Sequence, residues 1–315
     1  MSVPIGVVGM GLLGRGITAC LLERGHQVVA VARTADRHAQ ALPIIEQMLG
    51  ELIERGVAPP DLTARCRERL EQVTTWEPLA PCGLVIESVS DDLAVKQSVF
   101  DELERVVACD AVIASNTSAI PISVLQQTRQ HPERFVGMHW AEPAHATRFL
   151  ELIRGEQTSD ETLRRTEELA RRLGKDPTIC QQDIPGFIVN RLGYALYREA
   201  LHLVELGVAD CATIDRSVRN TLGLWAACCG PFRWIDLTGG PALYARSMER
   251  VLPTLCHDAA IPPALANLAD QDARGIVNGR GFYEYTAEEI RAWEQRQRRH
   301  TWMVKEWLDA EFPVE

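Results

Sequence analysis

Ile5-Gly6-Val7-Val8-Gly9-Met10-Gly11-Leu12-Leu13-Gly14-Arg15-Gly16 is the stretch on which the fold turns. Ile5 to Gly9 reads as a short apolar strand, Gly9, Gly11 and Gly14 spell GxGxxG, and Ile17 to Arg24 has helical character until Gly25 stops it. Val28 to Val31 is a second apolar strand, so strand, glycine turn, helix and strand fit the roughly 30 residues of a dinucleotide-binding βαβ unit. Gly9 permits the tight turn, Gly11 lets the backbone approach a pyrophosphate, and Gly14 allows close helix packing. Leu12 and Leu13 complete the turn, and the helix N-terminus that follows faces the negative charge.

An NAD-binding chain usually carries Asp or Glu at the end of the second strand to hold the ribose hydroxyls. Here the residues are Val31-Ala32-Arg33-Thr34. Arg33 can make a bidentate contact with a 2′-phosphate, Thr34 can donate its hydroxyl, and Ala32 brings no carboxylate to repel it. The cofactor is therefore read as NAD(P), with NADP(H) favoured. The alternative is that Arg33 is a solvated loop residue.

Further along, Leu84 to Ser88, Ala111 to Ala114 and Phe135 to Met138 are apolar strands, with a helical stretch from Asp92 to Arg105 between the first two. The expected fold is α/β, a Rossmann-type doubly wound parallel sheet. After Asp183-Ile184-Pro185-Gly186, the apolar spacing through Phe187, Val189, Leu192, Leu196 and Leu203 changes to that of helices. With 315 residues, two domains are expected: residues 1–183 for the dinucleotide and an all-α domain over residues 184–315.

Composition narrows the partners. Forty-six per cent apolar and 24% charged residues are those of a folded globular chain, and a net charge of -10 gives no basic field for nucleic acid or an anionic membrane. No segment has the apolar length of a membrane helix, and the apolar start lacks the basic lead of a signal peptide. The nine cysteines are odd in number and lack CxxC spacing, as expected of reduced thiols in a cytoplasmic protein. His139, Glu142 and His145 fall three apart, but Pro143 opposes a helix that would align them, so no metal is expected.

The stretches IESVSDDLAVK (86–96), SNTSAIPI (115–122), GMHW (137–140), DIPGFIVNRL (183–192) and GRGFYEY (279–285) follow GMGLLGRG (9–16) in an order that resembles the 3-hydroxyacyl-CoA dehydrogenase family. The resemblance covers nearly the whole chain, and the family includes relatives acting on free 3-hydroxy acids such as gulonate and carnitine. It implies an oxidoreductase that turns a 3-hydroxy group into a ketone. It makes His139 the general base and Glu151 the group that orients its ring. Ser118 and Asn190 then hold the reacting oxygen or the substrate, and Asn116, Asp91 and Lys96 lie at the cofactor. The residue types agree: an imidazole, a side chain suited to taking and returning a proton, follows a buried strand on the sheet's carboxyl side, in the company of a hydroxyl, a carboxylate and an amide.

Two departures bear on substrate. The family's His-x-x-Asn-Pro becomes His139-Trp140-Ala141-Glu142-Pro143, which exchanges a donating amide for a carboxylate. Glu142 is accordingly expected at the substrate. The segment Ile44 to Glu54, where acyl-CoA members often present lysines, carries Glu46, Glu51 and Glu54 and no lysine. Acyl-CoA dehydrogenation is the first reading of the activity. A non-CoA 3-hydroxy acid or small alcohol is the alternative, and a non-enzymatic NAD(P)-binding protein is the competing class. Gly230-Pro231-Phe232 resembles the family segment that packs across a two-fold axis, which implies a homodimer closing the substrate site. Ala287 to Asp309 reads as an added amphipathic helix.

Overall fold

A computed structural model describes residues 3–314. The chain divides into two compact units, one running to Asn190 and taking in the chain end from Phe312, the other Arg191–Glu311. The first unit is built on one eight-stranded sheet. Its strands are β1 (Ile5–Val8), β2 (Val28–Val31), β3 (Leu70–Val73), β4 (Leu84–Glu87), β5 (Val112–Ser115), β6 (Phe135–Trp140), β7 (Phe149–Ile153) and β8 (Asp176–Cys180), in the order β3-β2-β1-β4-β5-β6-β7-β8. The helices of this unit are α1 (Leu12–Glu23), α2 (Ala35–Glu54), α3 (Leu62–Arg67), α4 (Leu93–Val106), α5 (Ile122–Gln126) and α6 (Asp160–Arg172).

The order through β6 is the Rossmann order, with the chain reversing between β1 and β4. The sheet departs from the expected all-parallel arrangement at one pair, since β6 and β7 run antiparallel. Only residues 141–148 join them, and a parallel return needs a crossover of about a dozen residues or more. This short return sets His139 directly opposite Glu151.

The strands β1, β2, β4, β5 and β6 are buried end to end, which is why they read as largely apolar runs. Against one face pack Val99, Phe100 and Leu103 of α4 with Ile122 and Leu125 of α5, and the rings of Phe100 and Phe135 meet edge to face at 5.3 Å. Side chains start the helices: Asp92 accepts from the Val95 amide at α4, and Ser159 from the Thr162 amide at α6. Among the described residues all nine cysteines are free thiols.

The second unit is helical: most of α7 (Val189–Glu205), then α8 (Cys211–Asn220), α9 (Leu222–Ala226), α10 (Gly230–Leu237), α11 (Gly240–Val251), α12 (Pro263–Asp270) and α13 (Ala287–Glu311). The added helix read from Ala287 is thus a 25-residue element. No helix among the described residues is long and apolar enough to cross a membrane.

Candidate active site

The site lies at the carboxyl ends of the central strands. On β6, His139 is 7% exposed, and its Nδ1 is 2.8 Å from Glu151 Oε2 on β7. The other oxygen of Glu151 accepts from the backbone amides of Ile188 (3.1 Å) and Val189 (2.9 Å), at the start of α7. An ionised carboxylate only accepts, so Glu151 fixes the proton of the neutral imidazole on Nδ1 and leaves the lone pair on Nε2. The rings of Phe149 and Phe187 flank the imidazole at 5.7 and 5.8 Å. Phe187 has φ +52, a left-handed conformation that strains a non-glycine backbone by about 1–3 kcal/mol. The strained turn holds a buried ring beside the histidine.

Ser118 follows β5. Its amide and hydroxyl both donate to Asp91 Oδ2, at 3.0 and 2.9 Å, while its carbonyl accepts from Asn190 Nδ2 at 2.8 Å. The structure therefore joins Ser118 to Asn190 and Asp91, and His139 to Glu151. Asn116 ties three strand ends together: its Oδ1 accepts from the Trp140 amide and its Nδ2 donates to the Ser88 hydroxyl. Burial alone would raise the Asp91 carboxyl, but the Thr117 hydroxyl, the Ser118 amide and hydroxyl, and Lys96 together hold it below the usual carboxylate range. Lys96 is wholly buried, with its ammonium 2.8 Å from Glu87 Oε1 and 3.5 Å from Asp91 Oδ1.

Glu142 stands exposed on the β6–β7 return, at a cis bond to Pro143. Desolvation by the surrounding protein lifts its carboxyl above the ordinary value, opposed by the charge of Arg15 and the amide of Ala144. His139, Glu142 and His145 do not converge; His145 bonds Glu51 of α2 at 3.3 Å.

The glycine turn fits a dinucleotide. A Cβ on Gly9, whose φ is +101, would lie 2.5 Å from the Ser88 carbonyl oxygen, and one on Gly14 would lie 1.8 Å from the Gly9 oxygen. A Cβ on Gly11 would meet nothing within 4 Å, so the side chain missing there leaves open space where a phosphate approaches. Exposed Leu12 and half-buried Leu13 begin α1, whose first turn has no acidic residue and no side-chain cap on its amides. At the end of β2, Ala32 is buried and Arg33 exposed, while Thr34 caps α2 by accepting from the Arg37 amide.

The sequence reading missed Glu87 and Thr117, and it missed the amides of Ile188 and Val189 on Glu151. Glu87 had a signal: a carboxylate closing an otherwise apolar buried strand needs a buried cation, and Lys96 lies one helical entry further on.

A sheet of Rossmann order, a glycine turn open to a phosphate and an imidazole–carboxylate pair on neighbouring strands are the features of an NAD-dependent dehydrogenase family. The chain belongs to the 3-hydroxyacyl-CoA dehydrogenase family. The family's NAD binding domain matches residues 4–184, and its C-terminal domain matches residues 186–285. It is 32% identical to a 5-formyl-3-hydroxy-2-methylpyridine 4-carboxylate 5-dehydrogenase of Mesorhizobium japonicum, over 97% of this chain and 98% of that one. It is 34% identical to a probable 3-hydroxybutyryl-CoA dehydrogenase of Deinococcus radiodurans, over 89% of this chain and 99% of the relative. Among solved structures, a 5-formyl-3-hydroxy-2-methylpyridine 4-carboxylic acid 5-dehydrogenase, described as an NAD+ dependent dismutase, superposes with a TM-score of 0.91 at 31% identity. That match covers 98% of this chain and 99% of the other.

Proposed function

We propose that the protein is an NAD(P)-dependent dehydrogenase that oxidises the CH–OH group of a compact, non-thioester substrate, a 3-hydroxy acid or small alcohol, to the carbonyl. The observation that carries the catalytic reading is the His139–Glu151 pair. His139 Nε2 takes the hydroxyl proton, and the imidazolium so formed is stabilised by Glu151. Ser118 and Asn190 hold the substrate, with Glu142 at the rim. The cofactor, when bound, supplies the hydride acceptor. In the reverse direction the protonated His139 returns its proton to the alkoxide oxygen.

Two observations favour a compact substrate over an acyl-CoA. The lysines are Lys96, Lys175 and Lys305, of which the first two are buried, so the dinucleotide unit presents no lysine ammonium to a polyphosphate. Near α2, Arg67 is bridged to Glu46 at 2.6 Å and Arg65 to Asp61 at 3.6 Å, so carboxylates already occupy cations that CoA phosphates would use. The full-length similarity to an enzyme named for a pyridine carboxylate points the same way. Similarity to the 3-hydroxybutyryl-CoA enzyme favours the second reading, acyl-CoA dehydrogenation.

The test is NADH and NADPH oxidation by purified protein with acetoacetyl-CoA, acetoacetate and 5-formyl-3-hydroxy-2-methylpyridine 4-carboxylate in parallel. Faster turnover of either free acid than of the thioester is expected; the opposite ranking restores the acyl-CoA reading. His139→Ala should lower kcat by about 10²- to 10⁴-fold with NADH binding intact, and unchanged turnover would remove the assigned base.

The family's cofactor is NAD. Exposed Arg33, following Ala32 where NAD-binding chains usually carry a carboxylate, is the support for tighter binding of NADP(H). Arg33→Asp should weaken NADPH more than NADH, whereas equal losses would leave Arg33 without a phosphate contact. We assign dinucleotide binding to residues 1–183, and to residues 184–315 dimerisation and closure of the substrate site.

A further inference from the structure

The return from β6 to β7 that carries Glu142 is buried at its middle, where Ala144 is 0% and Ala146 1% exposed. Backbone carbonyls so placed have no strand partner and must find donors elsewhere. The Pro143 carbonyl accepts from the amides of Ala146 (3.0 Å) and Thr147 (3.1 Å). The carbonyls of Ala144 and Thr147 are both reached by the Lys175 ammonium, which donates to Thr147 at 2.6 Å. The Ala144 carbonyl also accepts from the Cys20 thiol at 3.3 Å, and a Cβ on Gly16 would lie 2.8 Å from that of Ala144, so α1 lies against the return.

Lys175 is 2% exposed and directly precedes β8. Its own amide donates to the Ala170 carbonyl at the end of α6 (3.0 Å), and the amide of Asp176 donates to Arg148, where the return ends (2.8 Å). Its ammonium stands 5.2 Å from the centroid of the Trp140 ring. Trp140, the neighbour of His139, is 1% exposed, and its amide is held by Asn116. One ammonium therefore meets the segment at Trp140, Ala144 and Thr147, with Glu142 inside that span.

We propose that Lys175 is a positioning residue for the substrate side of the site: it holds residues 140–147 in one shape and so fixes where Glu142 stands, while proton transfer stays with His139. The inference rests on the reading of Glu142 as a substrate residue.

The test needs no substrate. The Glu142 carboxyl is titrated by NMR, its signal assigned by its loss in Glu142→Gln, and amide hydrogen exchange is followed, in full-length wild type and Lys175→Met. In the wild type the surrounding protein lifts this carboxyl, against the Arg15 charge on α1 and the Ala144 amide. A return released from Lys175 lets the carboxylate regain water, so its titration should fall toward the ordinary value of about 4.3. Loss of a nearby positive charge with the return still in place would instead raise it. Exchange at Ala146 and Thr147 should rise roughly tenfold, with the helix-start amides of Val95 and Thr162 unchanged. A titration that stays or rises, or exchange that rises equally at all four amides, would overturn the proposal.

Lys175→Met strips two carbonyls of a donor and is prone to unfold. Lys175→Gln is therefore run beside it: the amide still donates, but it is shorter and brings no charge to the Trp140 ring. Smaller changes in the same directions are expected, and wild-type titration and protection in the folded Lys175→Gln would equally overturn the assignment. Glu142→Gln separates the two layers of the argument: an unchanged KM for each compound turned over removes Glu142 from the substrate site, while the titration still decides what Lys175 does.

Discussion

The dinucleotide unit and the helical unit differ in how much they keep from water. In the first, five strands are buried along their whole length and the core includes Phe100 and Ile113 at 0% exposure. In the second, Trp302 is the only buried residue among those described between Arg191 and Glu311, and α7 to α12 bury no side chain. Large apolar groups stand in the open there instead: Phe232 is 83% exposed, Leu224 74% and Leu237 68%. A unit with its own core can hold a 2.8 Å hydrogen bond in place. One that leaves such surface uncovered has apolar area to give to another chain, which is the physical support for the proposed dimer.

Substitutions can break this contrast. The largest effect is expected at Phe100→Ala, which removes a fully buried ring from the first unit and should cost about 3–5 kcal/mol at any protein concentration, as read by denaturant unfolding. Phe232→Asp should change the monomer's stability by no more than about 0.5 kcal/mol, as for other surface sites, yet convert a dimer to monomers in sedimentation. A wild-type monomer, or a variant that stays dimeric, would leave the helical surface without the proposed role.

The smallest effect is at Glu142→Gln. The folded carboxyl titrates above its ordinary value, so its ionisation opposes folding, and the wild type loses stability as pH rises from the unfolded pKa through the folded one. The variant should therefore melt slightly higher at pH 7, and the gap should close near pH 4. A gap independent of pH would show that the carboxylate's charge is not the cause.

What could be read from the sequence follows the same contrast. Strands buried on both faces announce themselves as apolar runs, and the glycine turn is legible because Gly9 and Gly14 have backbone where a Cβ would go. The edge strands do not announce themselves: β3 is Leu-Glu-Gln-Val, and β8 carries Pro177, a residue that suits an edge. β7 hides behind Glu151, a charge inside a buried strand whose partners, His139 and the amides of Ile188 and Val189, are remote in sequence. Resemblance supplies Glu151 as a residue, but only the antiparallel return shows why it faces His139. Asp91 and Lys96 look like surface charges at a helix start because their separation carries no record of Glu87; Lys96 is buried against it, while Asp91 stays exposed at the other end of the network.

The divided loyalty of Glu151 has a practical consequence for building hybrids of this protein with its relatives. One oxygen aims the histidine and the other grips the amides of Ile188 and Val189. A crossover at the Asp183–Gly186 turn, the obvious seam, would take those amides from a foreign parent and alter the hold on Glu151, and through it on His139, the proposed base. A seam placed after Asn190 keeps the carboxylate and both of its clients from one parent, and so lets helical halves be exchanged with the His139–Glu151 hydrogen bond left in one piece.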